Sequence, residues 1–487
     1  MHTTGSSHSD MSPEEFRRSA HRLADWIADH LGNLDNIPVL PDVQPGDIRA
    51  NLPDDPPEHG ESMESILDDV DRVIMPGMTH WNHPNFMAYF SITGSGPGIL
   101  GELLSAAFNV NGMLWKTCPS ATELERHSLN WLRQMLGLPD EFQGIIYDTA
   151  SVSSLHAIAA AREETGFNIR EEGMIGRDDL PPLRLYTSEQ AHSSIEKAAI
   201  TLGLGLNNVR KIRTDSEFRM DVNALSDAID EDRAMGWHPF CVVGTVGTTS
   251  TTSIDPISEI AEICEWEGLW LHVDAAYAGA AALLPEMESI LAGCDRADSF
   301  VMNPHKWLFV PIDCSAFYTR KPNVLKHAFS LVPEYLRTTE DGTAENLMDY
   351  GIQLGRRFRA LKLWFVLRYF GKQGLAMRIR THIELAQTLV SWIEAEGEFE
   401  LMATARFSTV CFRFHPEWTD DQEHLNRLNR NLLAAVNDSR QIYISHTELR
   451  ESFVLRIALG NLHTQWEHVE EAWALIREKA QDLQRDY

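Results

Sequence analysis

Lys306 and Asp274 are the two residues of this sequence whose types and setting could together do chemistry. Lys306 lies in Asn303-Pro304-His305-Lys306-Trp307, between the apolar runs Ser299-Phe300-Val301-Met302 and Trp307-Leu308-Phe309-Val310-Pro311, so water is not easily within its reach. Burial disfavours an ammonium and leaves a nucleophilic amine, the group that forms a Schiff base with an aldehyde. Asp274 comes thirty-two residues earlier, in Trp270-Leu271-His272-Val273-Asp274-Ala275-Ala276. A carboxylate at the end of an apolar strand could hold a ring nitrogen protonated, and the pair together proposes pyridoxal phosphate. Taken singly, each has an ordinary reading: a lysine after a strand is usually a solvated loop residue, and a strand-end aspartate commonly caps a helix.

The strings His272-Val273-Asp274-Ala275-Ala276-Tyr277-Ala278-Gly279 and Asn303-Pro304-His305-Lys306-Trp307 resemble the signature of the group II pyridoxal-phosphate decarboxylases, in particular the aromatic L-amino-acid decarboxylases. The likeness continues in the family's order through residues 81–90, Ala121-Thr122-Glu123-Leu124-Glu125, Ala191-His192-Ser193-Ser194, Gly247-Thr248-Thr249, Leu354-Gly355-Arg356-Arg357-Phe358-Arg359 and Phe453-Val454-Leu455-Arg456, covering roughly residues 12–475. It implies an α/β fold of type I, similar to aspartate aminotransferase. A mostly parallel seven-stranded sheet would form the large domain, with an N-terminal helical arm and a smaller C-terminal α/β domain. It also implies a homodimer with shared active sites, acting on an amino acid as its small-molecule substrate.

The resemblance assigns roles residue by residue. Lys306 would carry the cofactor, Asp274 would face its ring nitrogen and His192 would stack on its ring. Thr249 would support it from the strand-end side, with Asn303 and His305 close to phosphate and Schiff base. Tyr335, in Val332-Pro333-Glu334-Tyr335-Leu336 on a mobile loop, would be the proton donor to Cα, with His305 as a second candidate. Family members with phenylalanine at the tyrosine, or asparagine at the stacking histidine, resemble oxygen-consuming aldehyde synthases, so Tyr335 and His192 favour simple decarboxylation. Trp81, Tyr89 and Phe90 would wall an aromatic substrate pocket, with Asn111 and Met113 supplied by the partner subunit. Ile92 stands where animal members carry a threonine hydroxyl, which favours tryptophan, phenylalanine or tyrosine over dopa. The alternatives are an aldehyde synthase or an aminotransferase on the same substrates, the latter needing an arginine such as Arg456 to clamp the α-carboxylate, or a decarboxylase of a non-aromatic amino acid.

The phosphate needs amides and hydroxyls at a helix N-terminus. Asp148-Thr149-Ala150-Ser151, before a helix expected from about residue 153 to 164, offers them, although a plain Ser/Thr cap would read the same. Family position favours Thr149, Ala150 and Ser151 as the phosphate cradle, with Asp148 replacing a glycine and Val152 a glutamate. Gly94-Ser95-Gly96-Pro97-Gly98 reads more simply as a turn before a helix.

Short apolar runs at residues 144–147, 183–186, 240–245, 269–273, 299–302 and 314–318, separated by helical patterns, predict a largely parallel sheet covered on both faces. Ligands of such sheets bind beyond the carboxyl ends of the strands, where Asp274, Lys306 and Thr249 all fall. With 487 residues, 43% of them hydrophobic, the chain is expected to divide into an arm and dimerisation segment (1–95), a cofactor domain (96–370) and a small domain (371–487). Ser12-Pro13 predicts the start of an amphipathic helix striped by Phe16, Leu23, Ile27 and Leu31, and the proline-rich residues 37–57 predict an extended arm.

A net charge of −29 argues against nucleic acid or an anionic membrane as partner. The basic run Arg356, Arg357, Arg359 and Lys362 is interleaved with Phe358, Leu361 and Trp364 at helical spacing and reads as a packed interface helix. Six scattered cysteines form no metal-like grouping with histidine, and several, in apolar strands, read as buried thiols of a reducing compartment. With neither a signal-peptide core nor eighteen consecutive apolar residues, a cytoplasmic location is expected.

Overall fold

The apolar runs pair into one seven-stranded sheet in the computed structural model, which describes residues 10–331 and 344–485. The strands are β1 (Gln143–Tyr147), β2 (Leu183–Ser188), β3 (Val209–Ile212), β4 (His238–Thr245), β5 (Trp270–Asp274), β6 (Ser299–Met302) and β7 (Ser315–Thr319), in the spatial order β1-β7-β6-β5-β4-β2-β3. Neighbours from β3 to β6 are parallel, and β7 runs antiparallel to both β6 and β1. The apolar runs are continuous because both faces are covered. The pleat divides each run between two cores: Cys241, Val243, Val301 and Phe317 face one, while Val242, Phe300, Met302 and Tyr318 face the other. β3 escapes detection as an apolar run because it is an edge strand, where Arg210 and Lys211 pair with Asp232 and Glu196.

The register aligns the carboxyl ends that matter. Thr245 at the end of β4 pairs with Asp274 at the end of β5, and Asp274 pairs with Val301 in β6. Alternation along β5 puts Asp274 on the same face as His272, whose ring contacts Ser154 Oγ at 3.2 Å in the covering helix Ala150–Glu164. That helix begins three residues earlier than its expected start. Its alanines at 157, 160 and 161 are fully or almost fully buried, and their small size lets the helix lie close over the strand ends.

A second, antiparallel sheet has the order β10-β11-β9-β8, from β8 (Phe399–Leu401), β9 (Thr409–Phe414), β10 (Ser445–Leu449) and β11 (Ser452–Ala458). It has its own core, in which Phe412, Phe414 and Leu455 meet Leu432 and Trp473 of the helices Gln422–Asp438 and Trp466–Arg485. The helical stretch Arg359–Ala395 leading to it breaks at Gly371, where φ is +63°. Glycine takes this left-handed conformation without the Cβ clash of other residues.

At the N-terminal end, Ser12 Oγ accepts the backbone N–H of Glu15 and starts the helix Pro13–Gly32, which buries none of its residues in this chain. The expectation of a wholly extended arm over residues 37–57 needs correction. The proline-free stretch around Asp47–Ala50 forms one helical turn, because only prolines inside a turn remove its hydrogen bonds.

Candidate active site

Asp274 is buried, and its Oδ1 accepts the N–H of Ala276 at 3.0 Å. β6 ends at Met302, Asn303 and Pro304 open the one-turn helix Pro304–Trp307, and the Lys306 N–H donates to the Asn303 carbonyl at 3.0 Å. The neighbouring Trp307 ring is fully buried and stacks on Tyr277 at 4.5 Å, which stacks in turn on Phe90 at 3.8 Å. Trp307 Nε1 donates to His382 Nδ1 at 3.0 Å. This column of rings fixes the turn that carries Lys306. The Lys306 ammonium lies 5.3 Å from the Phe90 ring centre. Burial pushes its pKa below the ordinary lysine value, with Asp274 pulling it back and Arg456 pushing the same way as burial.

One cavity of about 170 Å³ is bordered by Lys306, Asp274, His192, Thr149, Ala150, Ser151, Thr249, Asn303 and His305. All nine residues expected around the cofactor therefore meet at one place. The Ser194 N–H donates to His192 Nδ1 at 3.1 Å, so the proton of a neutral ring sits on Nε2. Burial lowers the His192 pKa, against the pull of Asp274 and with the push of Lys306 and Lys197. His305 Nδ1 accepts the Cys314 N–H at 2.9 Å, and burial first, then Lys306, pushes its pKa down to about 3. Both rings are neutral at pH 7.

Thr245 also borders the cavity and was not singled out from the sequence. Thr245 and Asn303 are buried, and among the described residues Thr245 Oγ1 and Asn303 Oδ1 have no hydrogen-bond partner. Buried polar atoms are rarely left unpaired, so these two facing a cavity fit a polar ligand such as pyridoxal phosphate. Thr245 could have been found from its place at the end of an apolar run beside Asp274. Gly247 has φ +88°, and a Cβ there would come within 2.4 Å of the Ala278 Cβ. Arg456, in β11, is the arginine weighed above as a carboxylate clamp. It reaches the same region from the second sheet: its Nε donates to the Ser250 carbonyl at 3.0 Å, its Nη1 to the Tyr89 carbonyl at 2.5 Å, and its Cζ lies 4.6 Å from the Phe90 ring. Its buried Nη2 has no partner among the described residues.

Thr149 occupies the N-cap of the helix Ala150–Glu164, so Ala150 and Ser151 present first-turn N–H groups that the helix itself cannot satisfy. Asp148 is turned onto its own loop, with Oδ1 accepting the Thr149 N–H at 2.7 Å. Gly94–Gly98 packs instead against Pro311, where a Cβ on Gly98 would lie 2.3 Å from the proline ring.

Of the residues expected to wall the substrate, one borders the cavity that the expected cofactor residues line. Phe90 borders the cavity, but Tyr89, Trp81 and Ile92 do not. Tyr89 adopts φ +54°, which turns its ring outward to stack on Trp81 at 5.9 Å and to set its hydroxyl 3.1 Å from that of Tyr443. Asn111 and Met113 also lie away from the cavity of their own chain. Asn111 Oδ1 accepts the Arg356 N–H at 3.0 Å, and the Met113 carbonyl accepts the Met348 N–H at 3.1 Å. Tyr335 lies outside the described residues. The basic run is paired with acids: Arg356 with Glu125 at 2.7 Å, Arg359 with Asp313 at 2.9 Å, and Lys362 and Arg357 with Glu102. Among the described residues no cluster of three or more His, Cys, Asp or Glu side chains could hold a metal ion, and no helix is long and apolar enough to cross a membrane.

Comparison with known proteins places this geometry. The model of the pyridoxal-dependent decarboxylase conserved domain matches residues 45–415. Tyrosine decarboxylase 2 of Arabidopsis thaliana is 42% identical over 98% of this chain and 89% of its own length. Phenylacetaldehyde synthase of the same plant is 39% identical over 97% of each chain. The crystal structure of Oryza sativa TDC with PLP and tryptamine superposes with a TM-score of 0.94 at 34% identity, covering 98% of this chain and 100% of that one. Because the family match takes in every residue that borders the cavity, the chain belongs to the pyridoxal-dependent decarboxylases, and pyridoxal phosphate is its cofactor.

Proposed function

We propose that this enzyme removes the α-carboxylate of an aromatic L-amino acid, releasing carbon dioxide and the corresponding amine. The observation that carries the reading is the Phe90 ring beside the Lys306 amine in a cavity closed by Asp274 and His192. When bound, pyridoxal phosphate supplies the electron sink for the pair left on Cα. Lys306 provides the amine that joins the aldehyde, made nucleophilic by burial. Asp274 would keep a proton at the ring nitrogen, and His192, a neutral ring, would face the cofactor without adding charge. Thr245 Oγ1 and Asn303 Oδ1 have hydrogen-bonding capacity to spare for polar atoms of the cofactor, while Ala150 and Ser151 amides meet its phosphate. Phe90 supplies an apolar surface, which favours a step that disperses carboxylate charge. By the resemblance Tyr335 would return the proton to Cα, and the lowered pKa of His305, the second candidate, leaves that ring a neutral and weaker acid.

Tryptophan, phenylalanine and tyrosine are favoured as substrates over dopa by the resemblance, in which Ile92 stands where animal members carry a threonine hydroxyl. The tyrosine decarboxylase relative and the tryptamine-bound neighbour support an aromatic side chain. Two observations favour second readings: the aldehyde synthase among the relatives, and the unpartnered Nη2 of Arg456, which an aminotransferase would use. A turnover screen of the twenty amino acids with pyridoxal phosphate, quantifying amine, carbon dioxide, keto acid and aldehyde together, separates them. Equimolar amine and carbon dioxide from aromatic substrates is the expected result. Aldehyde with peroxide, or keto acid, would replace the reading by one of the alternatives, and preference for glutamate would remove the aromatic assignment.

The working unit is proposed to be a homodimer. On the helix Gly96–Phe108, Leu100, Leu103 and Phe108 are each more than half exposed, a contiguous apolar face that a second copy would cover. Sedimentation velocity at micromolar concentration should give twice the chain mass, and Phe108→Asp should give the single-chain mass with most activity lost. A wild-type monomer with full turnover would rule the assembly out. The break at Gly371 and the separate core of the second sheet support dividing the chain into 1–95, 96–370 and 371–487. Five buried free thiols suit a reducing cytoplasm.

A further inference from the structure

We propose that Asp148 is a built-in competitor for the cofactor's phosphate, weakening the hold of the helix N-terminus on that group; this rests on reading Thr149, Ala150 and Ser151 as the phosphate end of the cavity. A phosphate monoester at a helix start is held by N–H groups that no residue of the helix can satisfy. Here a carboxylate of the same chain already uses part of that capacity. Asp148 Oδ1 accepts the Thr149 N–H at 2.7 Å and stands 3.4 Å from the Thr149 hydroxyl. What remains for an incoming phosphate at this turn is the pair of amides at Ala150 and Ser151 and the Ser151 hydroxyl, which is exposed.

The charge of Asp148 is not cancelled by a dedicated partner. Arg359 is close enough to feel it, but its Nε and Nη2 donate to Asp313, at 2.9 and 3.1 Å. Asp148 makes no ion pair among the described residues. A dianionic ester arriving at this turn therefore meets a carboxylate on the positive end of the helix dipole, where one negative charge is stabilised and a second is repelled. The attachment at Lys306 and the ring contacts carry correspondingly more of the cofactor's retention. The enzyme is thus built for easier exchange of cofactor than a cradle without this acid.

The test separates phosphate from ring. Full-length apoenzyme, confirmed folded by circular dichroism, is titrated with pyridoxal phosphate and with pyridoxal, following absorbance. Asp148→Asn keeps an oxygen to accept the Thr149 N–H while removing the charge, and Asp148→Ser serves as a second variant if the first does not fold. Expected is a Kd for pyridoxal phosphate tighter by at least about tenfold, the scale of one charge-assisted contact, with the Kd for pyridoxal unchanged. Inorganic phosphate should also compete better with pyridoxal phosphate in the variant. Unchanged or weaker binding of pyridoxal phosphate overturns the proposal, as does an equal change for both ligands, which would mean a reshaped loop. Ser151→Ala tests the underlying reading on its own. It should weaken pyridoxal phosphate and leave pyridoxal alone; if it affects neither, the phosphate end lies elsewhere and the proposal falls with it.

Discussion

Lys306→Ala should lower turnover of the preferred aromatic amino acid by roughly 10³-fold or more, the scale expected when the nucleophile that joins the cofactor is removed. It should also abolish the near-visible absorbance that cofactor gains on joining the protein. The reason is geometric as well as chemical. Within this cavity Lys306 is the lysine at hand, and the ring column of Phe90, Tyr277 and Trp307 keeps its turn in place whether or not the amine is present. The Ala variant should therefore fold normally. It should still bind pyridoxal phosphate weakly through Thr245, Asn303 and the amides at Ala150 and Ser151, but without the absorbance band. Retention of that band, or turnover within tenfold of the parent enzyme, would take the nucleophile's role away from Lys306. The measurement needs both absorbance and product, because a merely destabilised protein would lose product while keeping the band in its folded fraction.

The residues most legible in the sequence were those at the ends of apolar runs. Asp274 ends β5 and Lys306 follows β6, and a buried parallel sheet leaves no choice about which edge such residues occupy. Residues whose position depends on contacts across the fold were much less legible. Arg456 arrives at Phe90 from a strand of the second sheet, 182 residues after Asp274 in number (456 − 274), and no spacing rule predicts that meeting. Thr245 looks like any β-branched residue ending a strand until its unpaired hydroxyl is seen beside Asp274. Which of the three neighbouring aromatics borders the cofactor cavity has a backbone reason. Trp81, Tyr89 and Phe90 are all aromatic, but a positive φ at Tyr89, pinned through its carbonyl by Arg456 and through its N–H by Ser445 at 3.2 Å, sends only Phe90 inward. Nothing local to Ala88-Tyr89-Phe90 demands that conformation. β3 was hidden by its charges, which are tolerable only because it is an edge.

Asp274→Asn should reduce kcat by about 10²–10³, the scale for losing one preorganised electrostatic contact, while leaving the absorbance of bound cofactor present but shifted. The substitution is nearly isosteric. The side-chain oxygen can still accept the Ala276 N–H that Oδ1 accepts now at 3.0 Å, so the end of β5 should keep its shape and its pairing with Thr245. What is lost is the negative charge and the second acceptor. An amide NH₂ turned toward the ring nitrogen offers a donor where a proton on that nitrogen needs an acceptor, so the ring loses its proton and is a poorer electron sink. The same charge also pulls up the pKa values of Lys306 and His192. Removing it should lower both further, so the pH at which the cofactor absorbance titrates should move down in the variant. A lower kcat with a downward-shifted titration and near-parental affinity for cofactor distinguishes loss of this electrostatic contact from general damage to the site. An Asp274→Asn enzyme with kcat within tenfold of the parent, or with its titration unmoved, would mean that the carboxylate at the end of β5 merely caps the turn at Ala276 and that the ring nitrogen takes its proton from elsewhere.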